Sequence, residues 1–388
     1  MAEVATRRQV LCGALLTAAA GLLTACVPAA PATAPTTAPP GAPTPAPAPT
    51  PAQKAPAAAA TLVTVKYGNL GIAPEAGIYI AIDRGYFREE GVEVELQKFN
   101  SGAEQTPLLA TGQLHFGAGG PDPSLFNAVG RGIDLKLVNH NALVTAGDAS
   151  AALVVRKDLI DAGRYRGPAD LKDLKVGVNI EKTTSQLYVE RFLHKGGLTV
   201  ADVSLVQIAF PDMVPALGNK AIDAGWAVEP FVTIGQVQNI ARAVGPMAEV
   251  YPGAVTMVLM LSPTFARQEP EATQGFVTAH LRGQRDYYRA FLKDEGGKEA
   301  IIQTLTRYTP VKDPAVYARL GFHGVDPNGE LNRVTLEEMQ DYFLRIGSQE
   351  KKLDLNTLID SSYVDRATQR LGRLAQSTRT VAMQKGLA

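Results

Sequence analysis

The chain has 388 residues with 38 basic and 38 acidic side chains, so its formal net charge is zero. This balance argues against a nucleic-acid-binding surface, which needs an excess of positive charge. Both cysteines, Cys12 and Cys26, lie near the start of the chain, which excludes a disulfide scaffold and a cysteine-ligated metal site in its body. With 46% apolar residues, the composition is that of a globular protein with two or three domains' worth of sequence.

The first 25 residues have the pattern of an export signal. Arg7-Arg8 precede an apolar run over 10–25 that is too short and too rich in alanine to span a bilayer stably. The run ends in Leu23-Thr24-Ala25-Cys26, which resembles a bacterial lipobox, so we expect lipidation at Cys26. One alternative is a plain signal peptide with an incidental cysteine. The arginine pair fits a twin-arginine export signal, and the alternative is the basic start of an ordinary signal peptide.

Residues 26–60 are almost wholly Ala, Pro and Thr. Such a segment cannot bury apolar area and stays extended. We therefore expect a linker that holds a folded domain away from the membrane, the alternative being a leader that is merely disordered. No later apolar run reaches the length of a membrane span, so the body of the chain is not expected to cross a membrane.

From residue 62 the sequence alternates strand and helix patterns. The strand patterns at 63–67 and 92–96 are separated by helical segments that end at glycine, as at Gly85. Strands joined by single helices predict an α/β fold with parallel sheets covered by helices. Residues 255–261 have the continuous apolar pattern of a strand buried on both faces, and the sequence from Pro270 onward is predicted to be nearly all helix.

A weak internal repeat supports two related lobes. Residues 112–117 can be aligned with residues 220–225, and a proline-marked helix start follows each segment. We expect a first lobe at 62–148, a second lobe at 149–260, and a helical C-terminal segment at 261–388 that returns to the first lobe.

The loops that follow the predicted strands indicate a ligand cleft. Ligands of open α/β sheets bind beyond the carboxyl ends of the strands, and six loops there are rich in Gly, Ser, Thr and Pro, although any one alone is compatible with an ordinary connection. The candidate ligand-binding residues are Gly77, Tyr79, Ser101, Gly102, Gly120, Pro121, Thr183, Thr184, Ser185, Asp212, Trp226 and Glu229.

Some of these candidates have a second interpretation. Trp226, the single tryptophan, can stack on a ligand or pack inside its lobe. Glu229 can pair with a ligand amine or cap its own helix, and Asp122 and Asp212 match ordinary N-caps. The five histidines lack metal-binding spacing, and no nucleophile elbow or phosphate loop is present, so we expect neither a metal nor a cofactor.

The stretch Gly85-Tyr86-Phe87, followed by Glu90-Gly91 and Val94, resembles the substrate-binding proteins of ABC importers for taurine, alkanesulfonates and thiamine pyrimidine precursors. Shorter matches extend the resemblance over about residues 62–270. It implies a two-lobed periplasmic-binding-protein fold of type II that holds a small molecule between its lobes. It also implies a monomer that delivers this ligand to a membrane permease and its ATPase.

Two departures leave the ligand open. His115 stands where the family usually has Asp, and Lys220 stands where it usually has Gly. Apart from Lys182 the candidate loops carry no Arg or Lys, which favours a neutral or amine-bearing ligand over a sulfonate. The predicted location is the extracytoplasmic face of the cell envelope, with a lipid anchor in the membrane and no nucleic-acid partner.

Two other functions are compatible with the same fold. One is an enzyme of the thiamine-pyrimidine synthase type, which is disfavoured because the cysteine-rich motif of those enzymes is absent. The other is a tethered ectodomain that senses a ligand for a receptor. The sequence does not separate a sensor from a transport protein.

Overall fold

The computed structural model describes residues 62–375. The export signal, Cys26 and the Ala/Pro/Thr-rich linker lie outside the described residues. The strands are β1 (Val63–Asn69), β2 (Val92–Lys98), β3 (Phe116–Gly119), β4 (Lys136–Leu143), β5 (Ala151–Arg156), β6 (Lys175–Val178), β7 (Ser204–Gln207), β8 (Ala224–Val228), β9 (Ala241–Pro246) and β10 (Val255–Leu261). The helices of the two sheet-forming regions are α1 (Ala76–Asp83), α2 (Tyr86–Glu89), α3 (Gly102–Thr111), α4 (Pro123–Gly130), α5 (Lys157–Asp161), α6 (Thr184–His194), α7 (Met213–Gly218), α8 (Phe231–Val237) and α9 (Met247–Val250). The C-terminal helices are α10 (Pro263–Gln268), α11 (Pro270–Tyr287), α12 (Lys298–Tyr308), α13 (Pro314–Tyr317), α14 (Arg333–Arg345), α15 (Leu355–Leu358) and α16 (Ser362–Leu371).

The strands form two five-stranded sheets with the same topology. The order is β2-β1-β3-β10-β4 in the first sheet and β7-β6-β8-β5-β9 in the second. Four strands of each sheet run in one direction, while β10 and β5 run antiparallel between their neighbours. The repeated segments 112–117 and 220–225 lead into β3 and β8, which hold equivalent places. This arrangement confirms the two-lobed α/β fold.

The antiparallel strands are the main difference from the expected parallel sheets. Each is the first strand after the chain has crossed from one sheet to the other, at 144–150 before β5 and at 247–254 before β10. Because β10 belongs to the first sheet, residues 255–260 lie in the first lobe and not in the second, where the sequence interpretation placed them.

The C-terminal helices mostly cover the first lobe. Helices α11 and α12 pack on α1, and α16 packs on α11 and β4. Helix α14 differs, because it contacts both α4 of the first lobe and α6 of the second. The C-terminal segment therefore reaches the second lobe as well as the first. Within residues 62–375, no helix combines the length and the apolar character needed to cross a membrane.

A buried carboxylate holds the loop after β1. Glu75 is fully buried and accepts hydrogen bonds from the hydroxyls of Tyr67 (3.2 Å) and Tyr79 (3.0 Å) and from the backbone N–H of Leu70 and Ile72. Burial raises the pKa of Glu75 to about 7, although the hydrogen bonds oppose that shift. The folded protein therefore binds the Glu75 proton more tightly than the unfolded chain does.

We expect Glu75→Gln to flatten part of the pH dependence of stability. A carboxyl whose pKa is raised by folding adds stability as pH falls, so the wild type should gain about 2–3 kcal/mol relative to the variant between pH 8 and pH 5. Buried His140, whose pKa is lowered to about 4, contributes an opposite slope to both proteins and cancels in the difference. Urea denaturation at several pH values measures the effect.

Glu299→Gln is the matched control, because Glu299 is exposed in the first turn of α12. The free energy of unfolding of Glu299→Gln should depend on pH in the same way as that of the wild type. Parallel stability curves for wild type and Glu75→Gln would show that Glu75 does not titrate in this range.

Candidate functional site

A cavity of about 70 Å³ lies between the two lobes. A water molecule needs roughly 10–15 Å³ on this measure, so the space suits a ligand with few heavy atoms. The first lobe, including β10, contributes Leu70, Ile72, Pro74, Ser101, Gly102, Gly120, Asp122, Thr256 and Met257. The second lobe and the crossings contribute Ser150, Ala151, Asn179, Thr183, Thr184, Ser185, Tyr188, Phe210, Trp226, Val228 and Met247.

The cavity lies where strands end and helices begin. Residues 120–122 connect β3 to α4 in the first lobe, and 179–183 connect β6 to α6 in the second. Ser101 caps α3, since its hydroxyl accepts a hydrogen bond from the Glu104 N–H at 3.4 Å. Parallel strands place these loops along one edge of each sheet, and the two edges face each other across the cavity.

Asp122 joins the two lobes. One carboxylate oxygen, Oδ1, accepts hydrogen bonds from the backbone N–H and the hydroxyl of Thr184, both at 2.9 Å. Thr184 is the first residue of α6, so a carboxylate of the first lobe caps a helix of the second. Burial raises the pKa of Asp122, and the two hydrogen bonds from Thr184 oppose that shift.

Aromatic side chains form one wall of the cavity. The rings of Tyr188 and Trp226 lie 5.2 Å apart at 47°, and Phe210 also lines the space. The Tyr188 hydroxyl is buried close to Thr184 and Asp122, yet within residues 62–375 it has no hydrogen-bond partner of normal geometry. The wall therefore combines three aromatic rings with one hydroxyl that lacks such a partner.

The family model described as the NMT1-like family matches residues 58–305. The chain belongs to the NMT1-like family. The taurine-binding periplasmic protein of Escherichia coli is 26% identical over 59% of this chain and 68% of its own length. The nitrate/nitrite binding protein NrtA of Nostoc is 26% identical over 62% of this chain, and the match spans only 58% of that protein.

Solved structures support the fold of this NMT1-like protein. The periplasmic nitrate-binding protein NrtA of Synechocystis has a TM-score of 0.67 at 16% identity, over 80% of this chain and 89% of that one. The desulfurization enzyme DSZB has a TM-score of 0.55 at 20% identity, over 79% of this chain and 99% of that one. The fold alone therefore does not separate binding from catalysis, whereas the sequence relatives described above are named as binding proteins.

Seven of the predicted ligand-binding residues of this NMT1-like protein line the cavity. They are Ser101, Gly102, Gly120, Thr183, Thr184, Ser185 and Trp226. The remaining five do not line it, and each has another role or position in the structure. They are Gly77, Tyr79, Pro121, Asp212 and Glu229.

Gly77 and Tyr79 lie inside the first lobe because α1 packs against α11. A Cβ on Gly77 would come within 2.8 Å of the Gln284 side chain, so this position permits close packing of the two helices. The Tyr79 hydroxyl donates to Glu75 and accepts from Asn69. Neither residue has a free face toward the cavity.

Glu229 binds the protein itself. Its carboxylate accepts hydrogen bonds from the Thr233 N–H and hydroxyl and from the Gly321 N–H, and burial raises its pKa to about 7. The helix-capping interpretation is therefore correct for Glu229. Asp212 is exposed, and Pro121 is buried beside the cavity without lining it.

Two residues of the site have roles that the sequence pattern did not predict. Asp122 was interpreted as the N-cap of α4, but its side chain makes no capping bond there and instead reaches α6 of the other lobe. Tyr188 is not among the predicted ligand-binding residues, although it lines the cavity. Its spacing of four residues from Thr184 was an available signal, since residues i and i+4 lie on one helix face.

We expect Trp226→Ala to lower the free energy of unfolding by about 3–5 kcal/mol, the usual loss for a buried aromatic side chain. Trp226 is 1% exposed and packs in the core while it lines the cavity. Trp226→Phe should recover most of the loss because it refills much of the volume. Urea denaturation followed by far-UV circular dichroism measures both variants. A loss below about 1 kcal/mol for Trp226→Ala would place the indole outside the core.

Proposed function

We propose that this protein is an extracytoplasmic, lipid-anchored solute-binding protein. It captures a small molecule between its two lobes and, as a monomer, delivers it to an ABC import permease and its ATPase. The observation that carries the proposal is the cavity, whose lining comes from both lobes at the carboxyl ends of their strands.

The crossings give this arrangement a way to open and close. The lobes are joined at 144–150 and at 247–254, close to the ends of the cleft-forming strands. A ligand that contacts both lobes stabilises the closed form, which is the hinge mechanism of two-lobed binding proteins. The relatives named for taurine and nitrate support a small soluble ligand.

The cavity favours binding over catalysis. Asp122 is the one charged side chain among the residues that line it, and these residues include no cysteine, histidine or lysine. The Thr184 hydroxyl is hydrogen-bonded to this carboxylate, and that contact belongs to the cap of α6, which is a structural role.

Gly120→Ala tests capture between the lobes. A Cβ at Gly120 would lie 2.6 Å from the Thr184 hydroxyl, so the lobes of the variant cannot approach as they do here. We expect ligand affinity to fall about tenfold or more while the melting temperature of the empty protein changes little, because each lobe still folds. A thermal-shift panel of small sulfonates, nitrate and amines identifies a ligand, and calorimetry gives its affinity.

Gly167→Ala is the matched control, since a Cβ there meets open space. It should bind as the wild type does. Unchanged affinity in Gly120→Ala would mean that ligand binding does not need the lobes to meet. A protein that binds nothing in the panel and carries no small molecule when purified from its host would contradict the proposed function.

The anchor is tested at Cys26. We expect Cys26→Ser to move the protein from the membrane fraction to the soluble extracytoplasmic fraction and to abolish labelling with a fatty-acid analogue. Cys12→Ser should have neither effect, because Cys12 lies in the apolar run that precedes the lipobox. Retention of Cys26→Ser in the membrane with normal lipid labelling would exclude this anchor.

A further inference from the structure

The charged side chain that lines the interlobe cavity is negative. Its lining contains the Asp122 carboxylate and no Lys, Arg or His. Asp122 is 8% exposed, so its charge is little screened by solvent. A buried carboxylate is stable only when it is paired or hydrogen-bonded, and within residues 62–375 the hydrogen bonds to this side chain come from Thr184.

Asp122 also occupies the position at which an anion would bind most readily. The N-terminus of α6 lines the cavity with Thr183, Thr184 and Ser185, so the positive end of its helix dipole lies beside this space. The Asp122 carboxylate already accepts the hydrogen bond from the Thr184 N–H. A sulfonate or nitrate entering this space would have to displace that carboxylate or lie beside it, and both arrangements are opposed by like-charge repulsion.

Two acceptor atoms remain unused next to this contact. Both hydrogen bonds to Asp122 end on Oδ1, and no hydrogen bond from residues 62–375 reaches Oδ2. The Tyr188 hydroxyl also lacks a partner of normal geometry in the described part of the chain. A ligand that donates two N–H groups would satisfy both atoms at once.

The aromatic wall provides a second kind of attraction for positive charge. Tyr188, Trp226 and Phe210 line the same cavity as Asp122. Aromatic faces attract ammonium and related cations, and they do so more strongly where water is excluded. A metal ion fits less well, because the residues from 62 to 375 contain no group of three or more His, Cys, Asp or Glu side chains placed to hold one.

We propose that the ligand of this protein is a small organic cation, such as a primary amine or a protonated nitrogen heterocycle. Its N–H groups donate to Asp122 Oδ2 and to the Tyr188 hydroxyl, and its carbon skeleton lies against the aromatic wall. This inference rests on the proposed capture of a small molecule between the lobes, and it adds the charge of that molecule.

The test compares cations and anions of similar size. Purified wild-type protein is titrated with butylamine, 4-aminopyridine and tetramethylammonium, and separately with ethanesulfonate and nitrate. We expect thermal stabilisation and measurable heats of binding with butylamine or 4-aminopyridine and with neither anion. Asp122→Asn should weaken binding of that cation by about 10- to 100-fold, the range for a lost hydrogen bond to a charged group.

Two variants keep the test specific. Asp173→Asn removes the same charge from an exposed position in the second lobe and should bind the cation as the wild type does. Tyr188→Phe, which loses only the unpartnered hydroxyl, should weaken a cation that carries N–H groups more than it weakens tetramethylammonium. Equal effects on both cations would contradict the role given to the hydroxyl.

The outcomes separate this inference from the proposed function. Binding of ethanesulfonate or nitrate, with higher affinity in Asp122→Asn, would overturn the cationic ligand and leave capture between the lobes intact. Failure of both butylamine and 4-aminopyridine to bind would also overturn it, and a different molecule extracted from the native protein would then preserve the proposed function. If Asp122→Asn does not fold, binding of the cations to Tyr188→Phe and to the wild type still decides the matter.

Discussion

The cleft depends on the two antiparallel strands. The four strands that run together in the first sheet all end at the cleft edge, so the chain leaves β4 at that edge. It enters the second sheet through β5, whose antiparallel direction means that it begins at the equivalent edge of the other sheet. Strand β10 repeats the arrangement on the way back. Two short crossings can therefore join the lobes only if the loop-bearing edges of the two sheets face each other. This topology determines where the residues of the candidate site lie.

Local patterns were sufficient for much of the fold but not for strand direction. Alternation of strands and helices, with the left-handed glycine at Gly85, predicted the elements of the first lobe. The apolar run 255–261 was correctly predicted as a strand buried on both faces. Its direction and its place between β3 and β4 depend on long-range pairing, for which periodicity carries no information. The short strand β9 was missed for a similar reason, since Ala, Arg, Gly and Pro give it no clear alternation.

The sequence predicted which loops line the cavity better than it predicted which side chains line it. The segments after β3 and β6 do line the cavity, because the carboxyl ends of parallel strands are a property of the topology. Whether a given side chain faces the cavity depends on the elements that pack around it. Gly77 and Tyr79 are core residues because α11 packs against α1. Glu229 does not face the cavity because its carboxylate is hydrogen-bonded to Thr233 and Gly321. Asp122 shows the opposite case, in which a residue with a local explanation has a partner in the other lobe.

Helix α14 contacts the two lobes with different chemistry. Against α4 it packs an aromatic pair, Phe343 and Phe126, whereas against α6 it places Arg345 beside Glu190 and Glu338 beside Arg191. Separation of the lobes at the polar contact would exchange these ion pairs for bonds to water, including at Glu190, which is buried there. Separation at the aromatic contact would expose apolar surface to water. We therefore expect α14 to stay with the first lobe if the lobes part, because water can replace the ion pairs at its contact with α6.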